Sequence, residues 1–502
     1  MRIQIKQILD LGWHGNFSAD EIVYDEVWAD SRKIKPGSIF FAFDGLKVAG
    51  SSFVGEALEK KAAAIFVDKK YEKEINEISK NSNIPVFYSG NFSEMAGRTI
   101  SCLYNYPTSN MACIGITGTN GKTTIAWVIY SALKALKKKS AYVGTIGIEL
   151  PENKISASHT TPPVDEVHRL AYHAREQGGE YFVMETSSHG LAQGRLAGVD
   201  WTIAMFTNLT EDHRDYHATM EEYFLSKKIL FKQWLDCYKK SGNARFAAII
   251  NSDDAYGVRL LEWLKSQDEN LPLISVGKNG SLKISAIRTS WEGYEADLEF
   301  KGAKYTLKSK CIGNYNIYNL AMSFACLAQL GFNPPDFLAQ LELFQGAPGR
   351  MQRFQKTNGS VIFVDYAHTP DALEKSIKTL RELNPGKVLV VFGCGGDRDQ
   401  AKRSQMGKIA DDLADHTIVT NDNPRSEDPE KIVAQITSTM RKNRCQVIYD
   451  RREAIFQAVK TLNAGEVLLV AGKGHEDYQI LSSGKINFSD AETVEEAIRS
   501  IG

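Results

Sequence analysis

Residues 111–124 read Met-Ala-Cys-Ile-Gly-Ile-Thr-Gly-Thr-Asn-Gly-Lys-Thr-Thr. The apolar opening fits a buried strand, and the stretch after it, Ile125 to Leu136, has a helix-like pattern. Strand, glycine-rich loop and helix form the order in which backbone N–H groups close around phosphate oxygens. The helix N-terminus adds a favourable dipole. Lys122 is placed to neutralise β- and γ-phosphates, and the Thr123 hydroxyl suits a Mg²⁺ ligand. The spacing departs from the common phosphate loop. Counting back from Gly121-Lys122-Thr123, the expected first glycine falls on Ile116, and glycines stand at 115 and 118 instead.

Working outward, short apolar runs alternate with helix-like stretches, the pattern of α/β layers. Three blocks separate. Residues 1–91 hold the strand-like runs at 39–43 and 62–68. Residues 92–347 hold the phosphate loop and further runs at 140–147, 180–187, 201–208 and 246–253. Residues 348–502 hold runs at 361–368, 387–396, 416–423, 445–450 and 466–474. Most of the polar motifs directly follow one of these runs. Parallel α/β sheets bind ligands outside the carboxyl ends of their strands, so the motifs of one block should share a rim.

The 502 residues exceed what one ordinary core organises. Sixty basic against 61 acidic residues leave a net charge of −1. No global field therefore favours nucleic acid or an anionic membrane. No signal peptide and no apolar run of about 20 residues is visible, which predicts a cytoplasmic protein. Cysteines 102, 113, 237, 311, 326, 394 and 445 are scattered, with no Cys-x-x-Cys. Reduced thiols that mostly pack in cores are expected, Cys394 in its glycine-rich turn included.

The middle block carries Met184-Glu185-Thr186-Ser187-Ser188-His189, then Glu211-Asp212-His213-Arg214-Asp215-Tyr216-His217, then a helical stretch with Lys227 and Lys228. Phosphoryl transfer is mainly positioning and charge neutralisation, so hard oxygen ligands belong near the loop. Glu185, at a strand end, is a candidate. On pattern alone Lys227 is simply a charged residue on an amphipathic helix, and Asn316 and Asn319 read equally well as helix caps.

The loop Gly118-Thr119-Asn120-Gly121-Lys122-Thr123-Thr124, with these segments, resembles the ATP-dependent Mur ligases, and the resemblance covers essentially the whole chain. It implies an α/β architecture of three domains: a central P-loop ATPase-like parallel sheet, an N-terminal uridine-nucleotide domain and a C-terminal Rossmann-like domain. It implies ATP and Mg²⁺ as cofactors, with Thr123, Glu185, His213 and a carbamylated Lys227 at metal and Lys122 at phosphate. Asn316, Asn319, Arg350 and Asp365 resemble the family's remaining ATP contacts.

Within the family, four features resemble the member that adds the third residue of the peptidoglycan stem. Asp30-Ser31-Arg32 resembles its uridine-nucleotide site, with Ser31 as a contact, although Ala49 stands in the following loop where that site usually differs. His159, Thr160 and Thr161, with Ser187, Gln193 and Arg195, resemble its grip on the muramoyl peptide. Arg398 in Gly393-Cys-Gly-Gly-Asp-Arg, and Asp422-Asn423-Pro424-Arg425, resemble its amino-acid pocket. Gly472-Lys-Gly-His-Glu476 resembles the motif closing that pocket. The implied reaction adds meso-diaminopimelate to UDP-MurNAc-L-Ala-D-Glu through an acyl phosphate. Arg425 gives a guanidinium suited to the far carboxylate of that amino acid. The alternatives are the L-lysine-adding form and a folylpolyglutamate synthase-like ligase, which lacks the Asp30-Ser31-Arg32 domain and the 422–425 pocket. A plain P-loop ATPase would need no amine. A monomer with small-molecule substrates, no nucleic acid and no membrane is expected.

Overall fold

The computed structural model describes every residue except 18, 46–47, 158, 211–215, 242–243, 291–292, 384–385 and 502. Two compact units emerge, one of residues 1–276 with 325–332, the other of residues 277–324 with 333–502.

Among the described residues the first unit holds a small antiparallel pair, Arg2–Gln4 with Glu21–Val23, and two larger sheets. A five-stranded sheet runs His14–Asn16, Val86–Ser89, Ala64–Asp68, Ile39–Phe41, Val27–Trp28, parallel except for its first strand. Its strands are nearly continuous apolar runs because both faces are covered. One face stacks Phe41, Phe66 and Phe87, with ring centroids 4.4 and 4.9 Å apart. The helix Phe92–Leu103 packs into this same core through Phe92, Met95, Ala96, Ile100 and Leu103. Trp13 anchors it by donating Nε1–H to Thr99 Oγ1 at 2.7 Å.

The second sheet carries the phosphate loop. Its strands lie in the order Lys154–Ile155, Gly147–Glu149, Ser140–Gly144, Tyr181–Glu185, Ala112–Thr117, Trp201–Phe206, Ala247–Asn251, Leu273–Gly277. The last six are parallel. Register puts Glu185 beside Ile116 and Phe206 beside Thr117, so the ends of three strands share one rim. The run 140–147 breaks after Gly144, turns, and returns as the antiparallel strand Gly147–Glu149.

The helix Met220–Ser241 lies against strand Trp201–Phe206. Tyr223, Lys227, Leu230, Phe231 and Trp234 are buried at helical spacing. Each large apolar side chain so buried contributes roughly 1.5–3 kcal/mol. Trp234 also donates its indole N–H to the Thr202 carbonyl at 3.1 Å, which fixes the helix in register and with it the position of Lys227.

In the second unit a six-stranded sheet runs Gln352–Gln355, Val361–Asp365, Val467–Ala471, Val388–Phe392, His416–Val419, Cys445–Val447, parallel after its first strand. Apolar cores cover both faces. An antiparallel ladder of Leu282–Ser290, Gly293–Phe300 and Ala303–Ser309 belongs to this unit and was not expected from sequence. All seven cysteines are free thiols. Cys394 is buried with Sγ 3.7 Å from Met406 Sδ, and burial pushes its thiol up to about 12, as a packing residue requires. No helix among the described residues is long and apolar enough to cross a membrane.

Candidate active site

The phosphate loop bridges strand Ala112–Thr117 and a helix beginning at Lys122, three residues earlier than the apolar pattern suggested. Gly118 has φ of +142°, and a Cβ there would stand 1.8 Å from Thr207 Oγ1. Glycine is the residue that fits both conditions. The loop is stitched to residues 207–210. Asn120 N–H donates to Asn208 Oδ1 at 3.0 Å, Thr207 Oγ1 donates to the Asn120 carbonyl at 2.6 Å, and Thr119 N–H donates to the Asn208 carbonyl at 2.8 Å. Lys122 Nζ lies 2.9 and 2.8 Å from the Gly118 and Thr119 carbonyls. Thr123 is buried, and Thr124 lies in the helix's first turn.

Glu185 is the node of the rim. Its carboxylate is fully buried, and it accepts from Tyr142 OH at 2.7 Å, Thr145 N–H at 2.8 Å, Thr145 Oγ1 at 3.1 Å and Thr123 Oγ1 at 2.7 Å. Buried carboxylates persist only when such donors replace water. The Thr123 hydroxyl and Glu185 Oε2 form an all-oxygen set, the chemistry that suits a hard divalent cation such as Mg²⁺. His213 lies outside the described residues. Tyr142 and Thr145 were not singled out in sequence. They belong to a neighbouring strand and its turn, about 40 residues away, and carry no motif of their own.

Lys227 is buried, with Nζ 2.7 Å from the Gly118 carbonyl and 4.3 Å from the centre of the Tyr223 ring. Lys228 points elsewhere, over the Trp263 ring at 4.1 Å. Register therefore assigns the loop contact to Lys227. Lys122 and Lys227 share the carbonyl of Gly118, which places two ammonium groups close together.

The expected muramoyl-peptide residues join the same network. Thr161 Oγ1 donates to the Glu185 carbonyl at 2.9 Å and accepts from Ser187 N–H at 2.9 Å. Thr160 Oγ1 lies 3.1 Å from Thr145 Oγ1. Arg195 donates to the Thr161 carbonyl at 2.7 Å and through two nitrogens to Gln193 Oε1 at 2.9 and 2.6 Å. Burial lowers the Arg195 guanidinium from its ordinary value. His159 is exposed. Ser31 is buried at the start of a short 3-10 turn capped by Asp30, and its carbonyl accepts from Lys60 Nζ at 3.0 Å.

The second unit holds the remaining residues. Asn316 and Asn319 are buried inside helix Asn314–Gln329 rather than capping it. Asn316 Nδ2 donates to the Ile312 carbonyl at 2.7 Å, and Asn319 Nδ2 donates to Asn316 Oδ1 at 3.0 Å. Asp365 ends strand Val361–Asp365 and accepts from Met351 N–H at 2.7 Å and Ala367 N–H at 3.0 Å, while burial pushes its carboxyl up. The Arg350 guanidinium lies over the Tyr366 ring at 5.1 Å.

Three loops at the strand ends of this sheet meet through polar contacts. Gly472, with φ of +120°, passes Asp422 so closely that a Cβ would stand 2.8 Å from Oδ2. Asn423 donates to Glu476 Oε2 at 3.0 Å, and Arg425 NH1 donates to the Gly396 carbonyl at 2.7 Å. Arg425 has φ of +54°, a conformation that a non-glycine residue keeps only where its surroundings impose it. Arg398 is exposed in the 393–399 loop. Fully buried Arg403 ties two of these loops, forming a bidentate pair with Glu427 at 2.6 and 2.7 Å and donating to the Gly395 carbonyl at 3.0 Å. This pair, Arg403–Glu427, and Lys473 were missed in sequence. Both act by holding loops distant in the chain, a role that no short motif records.

Fold and loop together define a P-loop nucleotide-binding α/β protein. Three family models match: the Mur ligase family catalytic domain over residues 23–98, the Mur ligase middle domain over 116–327, and the Mur ligase glutamate ligase domain over 349–474. The chain is 37% identical to a UDP-N-acetylmuramoyl-L-alanyl-D-glutamate--2,6-diaminopimelate ligase of Coxiella burnetii over 95% of this chain and 96% of that one. It is 37% identical to the ligase of the same name from Clostridium tetani, over 96% of each chain. A solved structure bearing that ligase name matches with a TM-score of 0.71 at 30% identity, covering 100% of this chain and 99% of the other. The chain belongs to the Mur ligase family.

Proposed function

We propose that the chain joins meso-diaminopimelate to UDP-MurNAc-L-Ala-D-Glu with cleavage of ATP to ADP and phosphate; its relatives are named as ligases of 2,6-diaminopimelate and that UDP-linked dipeptide. The observation that carries this is the buried contact of Glu185 with Thr123 at the head of the phosphate loop. It puts a carboxylate where phosphoryl transfer needs a cation held.

In this reading residues 1–91 hold the uridine nucleotide, 92–347 the ATP and 348–502 the amino acid. Thr123 would hold one Mg²⁺ and Glu185 with His213 a second, beside a carbamylated Lys227, and the ions would supply charge neutralisation at the transferring phosphoryl group. The γ-carboxylate of the D-glutamyl residue attacks the γ-phosphorus, the bond to ADP breaks, and Lys122 balances the charge that develops on the phosphate oxygens. The diaminopimelate amine then attacks the acyl phosphate carbonyl. Phosphate leaves with the carbonyl–oxygen bond electrons, and the amine gives up a proton. Thr160, Thr161, Ser187, Gln193, Arg195 and His159 orient the peptide, and Ser31 the nucleotide. Asn316, Asn319, Arg350 and Asp365 hold ATP. Arg398, Asp422, Asn423, Arg425, Gly472 and Glu476 hold the amino acid.

Carbamylation of Lys227 has a physical motive. Two ammonium groups on the Gly118 carbonyl repel, whereas a carbamate at Lys227 reverses one of those charges. The same reading puts its work in the cytoplasm, where ATP is available, and takes it to act as a monomer. An ¹⁸O-transfer measurement tests the route. ¹⁸O from the glutamyl γ-carboxylate should appear in released phosphate, and its absence would rule out the acyl phosphate.

A further inference from the structure

Lys473 has no exposed surface, although its side chain ends in a charge. Its Nζ donates to Asn423 Oδ1 at 3.1 Å and to Glu476 Oε2 at 3.1 Å. Asn423 Nδ2 donates to the same Glu476 oxygen at 3.0 Å, which closes a three-membered ring of contacts. Asn423 Oδ1 is held further by Ile480 N–H at 2.9 Å, and the Tyr478 ring lies 5.6 Å from Nζ. A buried ammonium is tolerated only when paired, and breaking such a pair leaves an uncompensated charge. Lys473 thus fixes the rotamers of Asn423 and Glu476 and also occupies the charge of Glu476.

We propose that Lys473 is a specificity-determining and positioning residue of the amino-acid pocket, one that neutralises Glu476 so that the site rejects a side chain ending in an ammonium alone. The proposal rests on reading residues 422–425 and 472–476 as the amino-acid site. Arg398, Arg425 and Lys473 stand against Asp422 and Glu476, so the residues read as this site carry one net positive charge. An amino acid whose far end carries both ammonium and carboxylate answers that field through its carboxylate. A far end with ammonium alone meets Lys473 as a like charge, a repulsive element of the kind that selectivity requires.

The test compares full-length wild type with Lys473→Met and Lys473→Gln, measuring KM and kcat for meso-diaminopimelate and for L-lysine with the other substrates saturating. The glutamine keeps a hydrogen-bond donor and removes the charge, so it serves if the methionine variant does not fold. In either variant KM for diaminopimelate should rise about tenfold or more. KM for ATP should stay unchanged, and the ratio of kcat/KM for diaminopimelate over lysine should fall. In a Glu476→Gln background the same Lys473 change should have a much smaller effect on that ratio, because the lysine acts through Glu476. An unchanged selectivity ratio in a folded variant, or an equal change in both backgrounds, would overturn the proposal. Wild-type enzyme that turns over neither amino acid would instead overturn the reading of the site.

Discussion

At the residue scale, the account turns on single side chains whose surroundings leave them one job. Glu185 has four donors around a fully buried carboxylate. Glu185→Gln keeps the shape and removes the charge, and kcat should fall about 100- to 1000-fold, while thermal stability drops far less than activity. Steady-state ATP turnover beside a melting curve checks this. Arg425→Ala should raise KM for diaminopimelate roughly 10- to 100-fold, the cost of one charge-assisted contact, and leave KM for ATP unchanged. Lys122, Thr123 and Glu185 were legible in sequence because their motifs are contiguous. Tyr142, Thr145, Arg403 and Lys473 were not. Each is an ordinary residue type made important by partners up to 50 positions away.

At the scale of elements, the helix Val164–Glu176 carries an acid-sensitive contact. His168 is fully buried with Nε2 2.9 Å from the Ala197 carbonyl, and burial lowers its pKa from 6.5 to about 4. The folded state therefore binds fewer protons than the unfolded chain between these values. Stability contributed by neutral His168 is present above pH 6.5 and is lost as pH falls toward 4, by about 3 kcal/mol in all. His168→Gln, which keeps a donor toward Ala197, should flatten the fall in unfolding free energy between pH 6.5 and 4.5. A variant with the wild-type slope would contradict that assignment.

The phosphate loop is the second such element. Gly118→Ala must fit a Cβ 1.8 Å from Thr207 Oγ1, so ATP affinity by calorimetry should fall at least tenfold, more than for Gly302→Ala, where nothing stands within 4 Å of a Cβ. The strands were legible as apolar runs. Every run that seeded the two parallel sheets is a strand, though shorter than the run, because its last residues turn into the binding rim. The ladder 282–309 escaped notice because one of its strands, Leu282–Ser290, is mostly exposed and lacks a clear apolar alternation.

At the scale of the whole molecule, the chain divides its chemistry between two compact units. The phosphate loop, Glu185 and Lys227 lie in one, and the 422–425 and 472–476 loops in the other. Lys122→Met should abolish ATP turnover yet leave unfolding of the second unit unchanged by differential scanning calorimetry. The sequence reads as three blocks, 1–91, 92–347 and 348–502, whereas contacts divide the chain into two compact units. Nor did that reading anticipate that helix Phe92–Leu103 belongs to the core of the five-stranded sheet, since an amphipathic helix does not announce which sheet it will cover.

The most direct measurement is product formation with ATP, Mg²⁺ and UDP-MurNAc-L-Ala-D-Glu, supplied with either meso-diaminopimelate or L-lysine and followed by mass spectrometry of the UDP-linked product. A diaminopimelate-containing tripeptide formed mole for mole with ADP, and little product with lysine, is the result expected. Preferential incorporation of lysine, or ADP release that needs no amino acid, would contradict the account.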